Sequence, residues 1–469
     1  MLTKKNQYTY LRRELAAALV YLYRKGTLEE RIDTIPVEMI PKDHASSRCC
    51  IYKDRAMIRS RLLSLMGVDL EEDDDEVSLL SAYAKNAIHQ EIKPFPVLTT
   101  ITAGCSACIK SQYRVSELCR GCLARPCVTN CPKNAITFKD HKACIDTELC
   151  VNCGKCKQVC PFNVILYIPL PCEEACPVGA IKRDINGQIH IDRESCIDCG
   201  KCSRACPFGA IVERSQIIPV AVKLTSDAHV TALCAPSIDG QFPGTLRQVI
   251  TAIKKLGFDT VIEVAEGAEK TVEHEAKEVL ARREDEPFMT TSCCSAFVSC
   301  INKHIPQLRE RVSHTRSPMA YTAEKAKDDC SDTFTVFIGP CIAKKQEGAL
   351  DPNVDAVITF EELAAFFVAW DIDVQELEES HITLDELPRK FALAGGVVES
   401  VCKVIPKDKA VRTQQIDGLT RKSVTLMKTW GRRPPDTDLV EVMCCEGGCV
   451  GGPGCVVDAR LARRRFEKR

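Results

Sequence analysis

The sequence predicts a multidomain protein of mixed α+β and α/β class. Three observations support this prediction: leucines at helical spacing begin the chain, a cysteine motif repeats in the middle, and strand-like runs alternate with helical segments after about residue 225. We therefore expect a helical N-terminal region in residues 1–95, a duplicated cysteine-rich domain in 96–222 and an α/β domain in 223–469.

Composition excludes several classes of protein. The chain has 469 residues with 63 Lys and Arg against 64 Asp and Glu, so nothing indicates a nucleic acid or an anionic membrane as partner. The N-terminal apolar run, Ala16 to Tyr23, is too short to span a membrane and lacks a small-residue cleavage site. We expect a cytoplasmic protein without membrane insertion, whose 30 cysteines are metal ligands and not disulfides.

The N-terminal region predicts a docked amphipathic helix. Four leucines share one helical face: Leu11, Leu15, Leu19 and Leu22. The acidic turn DLEEDDDE (69–76) is typical of solvated surface. Cys49 and Cys50 have no partner at ligand spacing, so we do not expect them to bind metal. The role of this region stays unassigned.

The C-terminal domain alternates strand and helix patterns. The strand candidates are HVTALCAPSI (229–238), DTVIEVA (259–265), FTVFIGPCIA (334–343), DAVITF (355–360) and LVEVMCC (439–445). Alternation with helical segments predicts largely parallel sheets, whose sites form at the carboxyl ends of strands. Cysteines follow three predicted strands, at 293–294, 341 and 444–445.

The cysteine-rich domain is internally duplicated. PCVTNCPKNAI (126–136) recurs as PCEEACPVGAI (171–181), and CVNCGKCKQVCPF (150–162) recurs as CIDCGKCSRACPF (196–208). The second element reads C-x2-C-x2-C-x3-C-P, the bacterial ferredoxin run, in which three thiolates bind one 4Fe-4S cluster and the fourth binds its neighbour. A zinc ribbon would use paired C-x2-C elements instead of triplets.

This sharing rule predicts the cluster ligands. One cluster is expected at Cys131, Cys150, Cys153 and Cys156, and a second at Cys176, Cys196, Cys199 and Cys202. The upstream run CRGCLARPCVTNCP (119–132) resembles polyferredoxin electron-transfer subunits of anaerobic oxidoreductases. It implies a third cluster at Cys119, Cys122, Cys127 and Cys160. Cys172 and Cys206 are left over; they could close a fourth cluster with Cys105 and Cys108, and Cys144 is an alternative ligand.

Three further cysteine motifs lie in the last part of the chain: TSCCSAF (291–297), GPCIAKKQE (339–347) and EVMCCEGGCVGG (441–452). They closely resemble the signatures TSCCPxW, PCxxKxxE and ExMxCxxGCxGG of the iron-only (FeFe) hydrogenases, in the same order after a ferredoxin-like segment. The resemblance covers about residues 115 to 460. It implies a two-lobed α/β catalytic domain that reversibly reduces protons to H2 with electrons delivered through the 4Fe-4S clusters.

The resemblance also implies an H-cluster, a 4Fe-4S cubane bridged to a diiron unit with CO, cyanide and a dithiolate bridge. The implied cubane ligands are Cys294, Cys341, Cys445 and Cys449, with Cys449 as the bridge. Cys444 is an extra neighbour that we do not expect to be a ligand. The implied neighbours of the diiron unit are Pro236 and Ser237 in CAPSI, Lys344 beside a cyanide, and Glu347, which completes its motif.

A proton path is implied as well. By position Cys293 exchanges protons with the diiron site. Glu275, Glu278 and Arg282 lie on one face of a predicted helix, at i, i+3 and i+7. The segment 257–283 resembles the family segment with two relay glutamates and an outer arginine, and Ser313 matches the relay serine between them. Without the resemblance, such a face is more often a solvated set of ion pairs.

The sequence departs from the family pattern around this site, with Ser295, Phe297 and Gly339 where proline, tryptophan and methionine are usual. All implied ligands are present. Two alternatives stay open: a slow H2-sensing regulatory protein and an iron–sulfur assembly factor of hydrogenase-like fold. The expected partners are ferredoxin or a similar one-electron carrier and the hydrogenase maturation proteins. No GxGxxG indicates a nicotinamide or flavin site.

Overall fold

The structure, a computed structural model, describes residues 7–73, 75, 77–89, 96–282, 287–381 and 386–467. The N-terminal region is helical, as predicted. Its helices are α1 (Gln7–Arg24), α2 (Leu28–Arg31), α3 (Ile35–Met39), α4 (Ile51–Leu65) and α5 (Leu80–His89). Within the described ranges, no helix is long and apolar enough to cross a membrane.

Helix α1 is docked on the rest of the protein, as the leucine spacing predicted. Leu15 and Leu19 are fully buried, in the same apolar core as strands of the C-terminal domain. Arg13 Nη2 donates to Glu361 Oε1 at 3.0 Å and to the Val456 carbonyl at 2.9 Å. The N-terminal region therefore shares its core with the C-terminal domain.

The acidic turn is not simply solvated surface. Asp69 is buried and forms an ion pair with Arg193 at 2.7 Å, and Glu72 pairs with the same arginine at 2.8 Å. The prediction is therefore wrong for this part of the turn, because a partner distant in sequence binds it. Residues 74 and 76 of the turn lie outside the described residues.

The cysteine-rich domain consists of short helices and small antiparallel strand pairs. Its elements are β1 (Leu98–Thr100), β2 (Gln112–Val115), α6 (Pro126–Thr129), β3 (Ile136–Lys139), β4 (Lys142–Ile145), α7 (Lys155–Val159), β5 (Ile165–Ile168), α8 (Pro171–Ala175), β6 (Ile181–Arg183), β7 (Ile189–Ile191), α9 (Lys201–Ala205) and β8 (Ile211–Glu213). The duplication is visible in three dimensions. The series α6, β3–β4 hairpin, α7 recurs as α8, β6–β7 hairpin, α9.

The C-terminal domain begins with α10 (Ile217–Leu224), which spans the predicted boundary at residue 222 and packs in the C-terminal core. The following elements are β9 (Val230–Cys234), α11 (Leu246–Lys255), β10 (Thr260–Glu263), α12 (Ala265–Arg282), β11 (Met289–Thr290), α13 (Ser295–His304), α14 (Pro318–Asp329), β12 (Phe334–Gly339), α15 (Ala343–Leu350), β13 (Ala356–Thr359), α16 (Phe360–Ala369), α17 (Glu386–Arg389), α18 (Gly396–Val404), β14 (Thr413–Asp417), α19 (Arg421–Thr429), β15 (Leu439–Met443) and α20 (Ala459–Glu467).

These strands form two parallel sheets, which confirms the α/β prediction. One has the order β10-β9-β12-β13 and the other the order β11-β15-β14. The central strands β9 and β15 are buried along their whole length, which explains why most of their residues are apolar. The polar strand β14 is at an edge and mostly exposed, so it carries no apolar pattern from which it could be predicted.

Candidate active site and cluster sites

Both sheets point cysteines from their carboxyl ends toward one cavity of about 100 Å³. The thiols that line it are Cys199, Cys293, Cys294, Cys341, Cys444, Cys445 and Cys449. Cys294 follows β11, Cys341 follows β12 and Cys445 follows β15. The four predicted cubane ligands and the predicted proton-exchanging thiol therefore meet at one place, although they come from three separate motifs.

The electrostatics of the cavity suit a group that carries positive metal charge. Burial raises the pKa of Cys294 to about 11, and burial with neighbouring thiolates raises the pKa of Cys341 far above its ordinary value. Lys344, which lines the cavity, opposes these shifts in part. Bare thiolates are therefore unfavourable here, and iron bound to them would supply the missing stabilisation.

The cavity wall also offers an unused donor. Ser237 is almost fully buried, lines the cavity beside Pro236, and its Oγ has no hydrogen-bond partner. Such an orphaned hydroxyl is costly unless a bound group accepts from it. Cysteines, Ser237 and Lys344 together form the donor set that an iron cluster with small polar ligands requires.

The glycines next to Cys449 are required by backbone packing. Gly448 has a φ of +88°, and a Cβ there would lie 2.5 Å from the Ala394 nitrogen. A Cβ on Gly452 would lie 2.6 Å from the Pro340 carbonyl oxygen. These glycines therefore let three backbone segments approach one another around Cys449.

Lys344 is held in place by a carboxylate. Its Nζ lies 2.6 Å from Glu347 Oε2, and Lys344 is nearly buried. Glu347 also accepts hydrogen bonds from Ser295 and Ser317. Ser295, where the family pattern has proline, therefore adds a donor to the group that positions Lys344.

The outer half of the predicted proton path is connected by hydrogen bonds. Ser313 Oγ donates to Glu278 Oε2 at 2.5 Å, and Arg282 Nη2 lies 2.6 Å from Glu278 Oε1. Arg282 also donates to the His314 ring at 2.8 Å, and His314 is largely exposed. This part of the path therefore reaches the protein surface.

The inner half of the predicted proton path contains Glu275, which is fully buried. The Ser292 backbone N–H donates to Glu275 Oε1 at 3.1 Å, while Oε2 has no hydrogen-bond partner. Burial raises the Glu275 pKa to about 8, with the nearby Glu278 charge adding to the effect. Burial and the Glu275 carboxylate also raise the pKa of Cys293 well above its ordinary value. Among the described contacts, no hydrogen bond joins Glu275 to Cys293 or to Ser313.

Sequence reasoning missed two residues here. His314 lies next to the matched Ser313 but belongs to no signature, and its contact with Arg282 spans 32 positions. Glu441 opens the third motif and was not assigned a role. Its carboxylate accepts backbone N–H bonds from Gly395, Val397 and Val398 at 2.7, 3.0 and 3.0 Å, at the start of α18. No sequence signal links Glu441 to those residues.

Four groups of cysteines are found in the cysteine-rich domain, and we name them sites A to D. Site A (Cys119, Cys122, Cys127, Cys160) and site B (Cys131, Cys150, Cys153, Cys156) each line a cavity of about 20 Å³. In site D (Cys176, Cys196, Cys199, Cys202), charges on the other members raise the pKa of the Cys202 thiol beyond the effect of its burial. The structure thus brings together each of the three sets that the sequence predicted.

Site C contains the left-over cysteines Cys105, Cys108, Cys172 and Cys206. Burial, to which the charges of Cys206 and Cys108 add, raises the Cys172 pKa to about 11. Burial and the charges of Cys105 and Cys206 likewise raise the pKa of Cys108. The alternative ligand Cys144 instead lies in β4, opposite Thr137 of β3. In the described part of the chain, no three His, Cys, Asp or Glu side chains are close enough to hold a single metal ion.

Known protein families match the segments that carry most of these sites. Residues 228–453 match the family described as the iron only hydrogenase large subunit, C-terminal domain. Residues 118–164 match a 4Fe-4S dicluster domain and residues 188–211 a 4Fe-4S binding domain. HydA1 FeFe-hydrogenase from Chlamydomonas reinhardtii, solved as a variant, matches 51% of this chain and 84% of its own, at 21% identity and a TM-score of 0.43.

Three curated relatives are similar over parts of the chain. Iron hydrogenase 1 of Clostridium pasteurianum is 28% identical over 389 residues, covering 69% of this chain and 67% of that protein. The periplasmic Fe hydrogenase large subunit of Nitratidesulfovibrio vulgaris is 29% identical over 269 residues, covering 45% of this chain and 62% of that protein. The cytosolic Fe-S cluster assembly factor NAR1 of Candida dubliniensis is 29% identical over 136 residues, covering 24% of this chain and 23% of that protein.

The chain thus spans about two thirds of the length of the hydrogenases that it matches. The matched segments contain sites A and B, most of site D and the cavity lining, and they come in the order that the sequence predicted. With 4Fe-4S domains followed by this C-terminal domain, the protein is similar to the iron-only hydrogenases.

Proposed function

We propose that the protein is a working FeFe-hydrogenase, which reversibly combines two protons and two electrons into H2. The observation that carries this proposal is the convergence of Cys293, the four cubane cysteines and Lys344 on one cavity. In the proposal, Cys294, Cys341, Cys445 and Cys449 would hold the cubane, and Cys449 would also bind the diiron unit. When bound, that unit supplies the place where the H–H bond is made or split.

In this proposal the chain's own side chains move the proton. Cys293 faces the cavity and Glu275 affects its charge state, so the thiol and the carboxyl form the inner step. Ser313 and Glu278 share a short hydrogen bond, and Arg282 holds Glu278 in place. The raised pKa of Glu275 suits the role, because such a carboxyl carries a proton at neutral pH and can still release it.

The cluster sites provide a route for electrons. Cysteines of sites A and B share one small apolar core. Next to site B, the rings of Tyr113 and Tyr167 lie 4.9 Å apart, and Tyr167 donates to Glu174 in α8, the helix of Cys172. Sites C and D share the next core. Cys199 of site D lines the H-cluster cavity. The order is therefore A, B, C, D and then the H-cluster.

Site A is the natural entry point, and its surface suits an acidic one-electron carrier such as a ferredoxin. Leu118, Leu123 and Phe162 are 75%, 95% and 51% exposed, and they flank cysteines of site A in sequence. Arg120 and Arg125 are exposed between them. Segment 110–168 has nine Lys and Arg against four Asp and Glu. An apolar patch with basic neighbours favours a partner with acidic side chains around its own cluster.

A second candidate function is iron–sulfur cluster assembly, which the similarity to NAR1 favours. Two observations support the hydrogenase instead. Both members of the Cys293–Cys294 pair are present and line the cavity, and Ser237 offers a donor that a diiron unit with CO and cyanide ligands could use.

The deciding experiment is H2 evolution from reduced viologen by protein matured anaerobically with hydrogenase maturation proteins. Diiron loading is checked in the same sample by its carbonyl and cyanide infrared bands. We expect the bands and rapid H2 evolution. Bands with very slow turnover would indicate an H2 sensor. Intact 4Fe-4S absorption without the bands would indicate the assembly-factor function.

A further inference from the structure

We propose that site C binds a fourth 4Fe-4S cluster in the cysteine-rich domain, and that the N-terminal helical region holds this site together. The proposal extends the electron route of the proposed function. Its test counts iron, so that it succeeds or fails independently of H2 chemistry. None of Cys105, Cys108 and Cys172 falls within the 4Fe-4S domains that match known families.

Strand pairing brings the two distant halves of site C together. Strand β1 pairs antiparallel with β8, with Thr100 opposite Ile211. The Ile101 N–H donates to the Ala210 carbonyl at 2.7 Å and continues the ladder. The loop with Cys105 and Cys108 therefore begins beside the segment that follows Cys206, although about 100 residues separate them.

Cys206 has the same backbone environment as two motif-assigned ligands. The Ala210 N–H donates to its Sγ at 3.4 Å. The corresponding bonds are 3.3 Å from Ala135 to Cys131 in site B and 3.2 Å from Ala180 to Cys176 in site D. An N–H bond to sulfur stabilises thiolate charge and is a regular feature of iron–sulfur sites. Cys206 is therefore prepared as a ligand in the way that Cys131 and Cys176 are.

The remaining members, Cys105, Cys108 and Cys172, lie at the apolar core that also contains Cys176 and Cys202 of site D. Cys172 is buried on α8, and Cys105 and Cys108 pack against that core from outside. Sites A, B and D use none of these four cysteines, so all four are available as ligands of site C. Four thiols from three segments around an apolar interior match the ligand number of a 4Fe-4S cubane.

The N-terminal region supplies the link between the segments. Arg48 Nη1 donates to the Gly104 carbonyl at 3.3 Å, and its Nη2 donates to the Phe208 carbonyl at 3.2 Å. Gly104 directly precedes Cys105, and Phe208 follows Cys206 by two positions, so one guanidinium connects both ligand loops. Arg61 of α4 also donates to Phe208, at 3.3 Å.

Helix α4 fills the space behind this link. Met57 packs with Ile101 and Val212 in one small core, directly against Gly104. A Cβ on Gly104 would lie 2.5 Å from the Met57 methyl carbon. The close fit of α4 against the Cys105 loop gives the otherwise unassigned N-terminal region a role: it completes the wall of site C.

The first test compares iron and acid-labile sulfide per chain in protein purified anaerobically. We expect Cys172→Ala and the double variant Cys105→Ala/Cys108→Ala each to lose about four iron atoms relative to the unmodified chain. Cys144→Ala, at the alternative ligand, is the matched control and should lose none. Two variants are used because Cys172 is buried, whereas Cys105 and Cys108 are half-exposed and can be changed with little effect on folding.

Three results would overturn the cluster assignment. The double variant could keep its full iron content, or Cys144→Ala could lose the same four atoms. Elemental analysis could instead show about one zinc atom lost from the double variant with iron unchanged. The iron of sites A, B and D that remains in each variant reports that the domain is folded.

The second test addresses the N-terminal region. Arg48→Ala should lower iron content toward that of the double cysteine variant, because the two ligand loops lose their link. Arg59→Ala is the control, since Arg59 donates to the Ser78 carbonyl within the N-terminal region and touches neither loop. Equal and full iron content in both variants would overturn the scaffolding role.

Discussion

Cys293 and Cys294 are neighbours in sequence with different surroundings. Cys294 Sγ accepts the Cys444 backbone N–H at 3.4 Å, which fits a cluster thiolate. Cys293 lies within the electrostatic range of Glu275, on the side of the proton path. Adjacent residues in an extended segment point in opposite directions, so one pair of thiols can serve both the cluster and the proton path.

Removing the Cys293 thiol should separate these two roles. In Cys293→Ala we expect iron content and infrared bands to be unchanged, while H2 evolution falls at least about 100-fold because the proton donor is lost. Cys300→Ala is the matched control, since Cys300 is buried in an apolar core. Turnover near the original rate in Cys293→Ala would refute the assignment.

Glu275 should make stability depend on pH. Its pKa is about 8 in the folded protein against about 4.3 in an unfolded chain, so the folded state binds the proton more tightly. The contribution of Glu275 to the free energy of unfolding is therefore complete below about pH 4.3 and is lost as pH rises to about 8. Over this range the free energy of unfolding falls by at most about 1.4 kcal/mol per pH unit. Denaturation of Glu275→Gln between pH 5 and 9 should lack this component. An unchanged slope would contradict the burial argument.

At the scale of elements, Glu441 connects β15 to the start of α18. Burial raises its pKa, and the three backbone N–H bonds oppose that shift. Glu441→Ala would leave these N–H groups without an acceptor, and each such buried group costs about 1–3 kcal/mol. We expect a large drop in the denaturation midpoint for Glu441→Ala and a smaller one for Glu441→Gln. Equal stability of both variants and the original protein would show that water replaces the carboxylate.

Helix α1 is a second element whose packing can be measured. Leu19 is fully buried in the shared core, so Leu19→Ala should cost about 2–5 kcal/mol. Tyr21 on the opposite face is 41% exposed, and Tyr21→Ala should change stability by about 0.5 kcal/mol or less. A single unfolding transition in both variants would agree with one core; a separate early transition of α1 would contradict it.

At the scale of the whole molecule, electrons are proposed to enter far from the active site. Leu123→Glu combined with Arg120→Glu should slow reduction of the clusters by an acidic ferredoxin about tenfold, and the rate should depend less on salt. Reduction by viologen should not change. Ile185→Glu, at a fully exposed position in the other repeat, is the control. Equal slowing by both changes would place the docking surface elsewhere.

Much of the site could be predicted from sequence because its information is local. The C-x2-C-x2-C runs place three ligands on one loop, so sites B and D follow from spacing and the sharing rule. The parallel arrangement follows from apolar runs that alternate with helical segments, and some of these runs end in cysteines. The resemblance of the three late motifs to one family added the identity of the H-cluster domain, which the matched residues 228–453 confirm.

The rest was decided by tertiary structure, because it depends on partners far apart in the chain. The Cys105 loop meets Cys206 only through the pairing of β1 with β8. Arg48, His314 and Glu441 form part of no motif, and each gains its role from backbone or side-chain groups on another element. Strand β14 is polar because it lies at an exposed edge. Local spacing thus determined which residues can bind iron, and long-range pairing decided which of them meet and what holds them together.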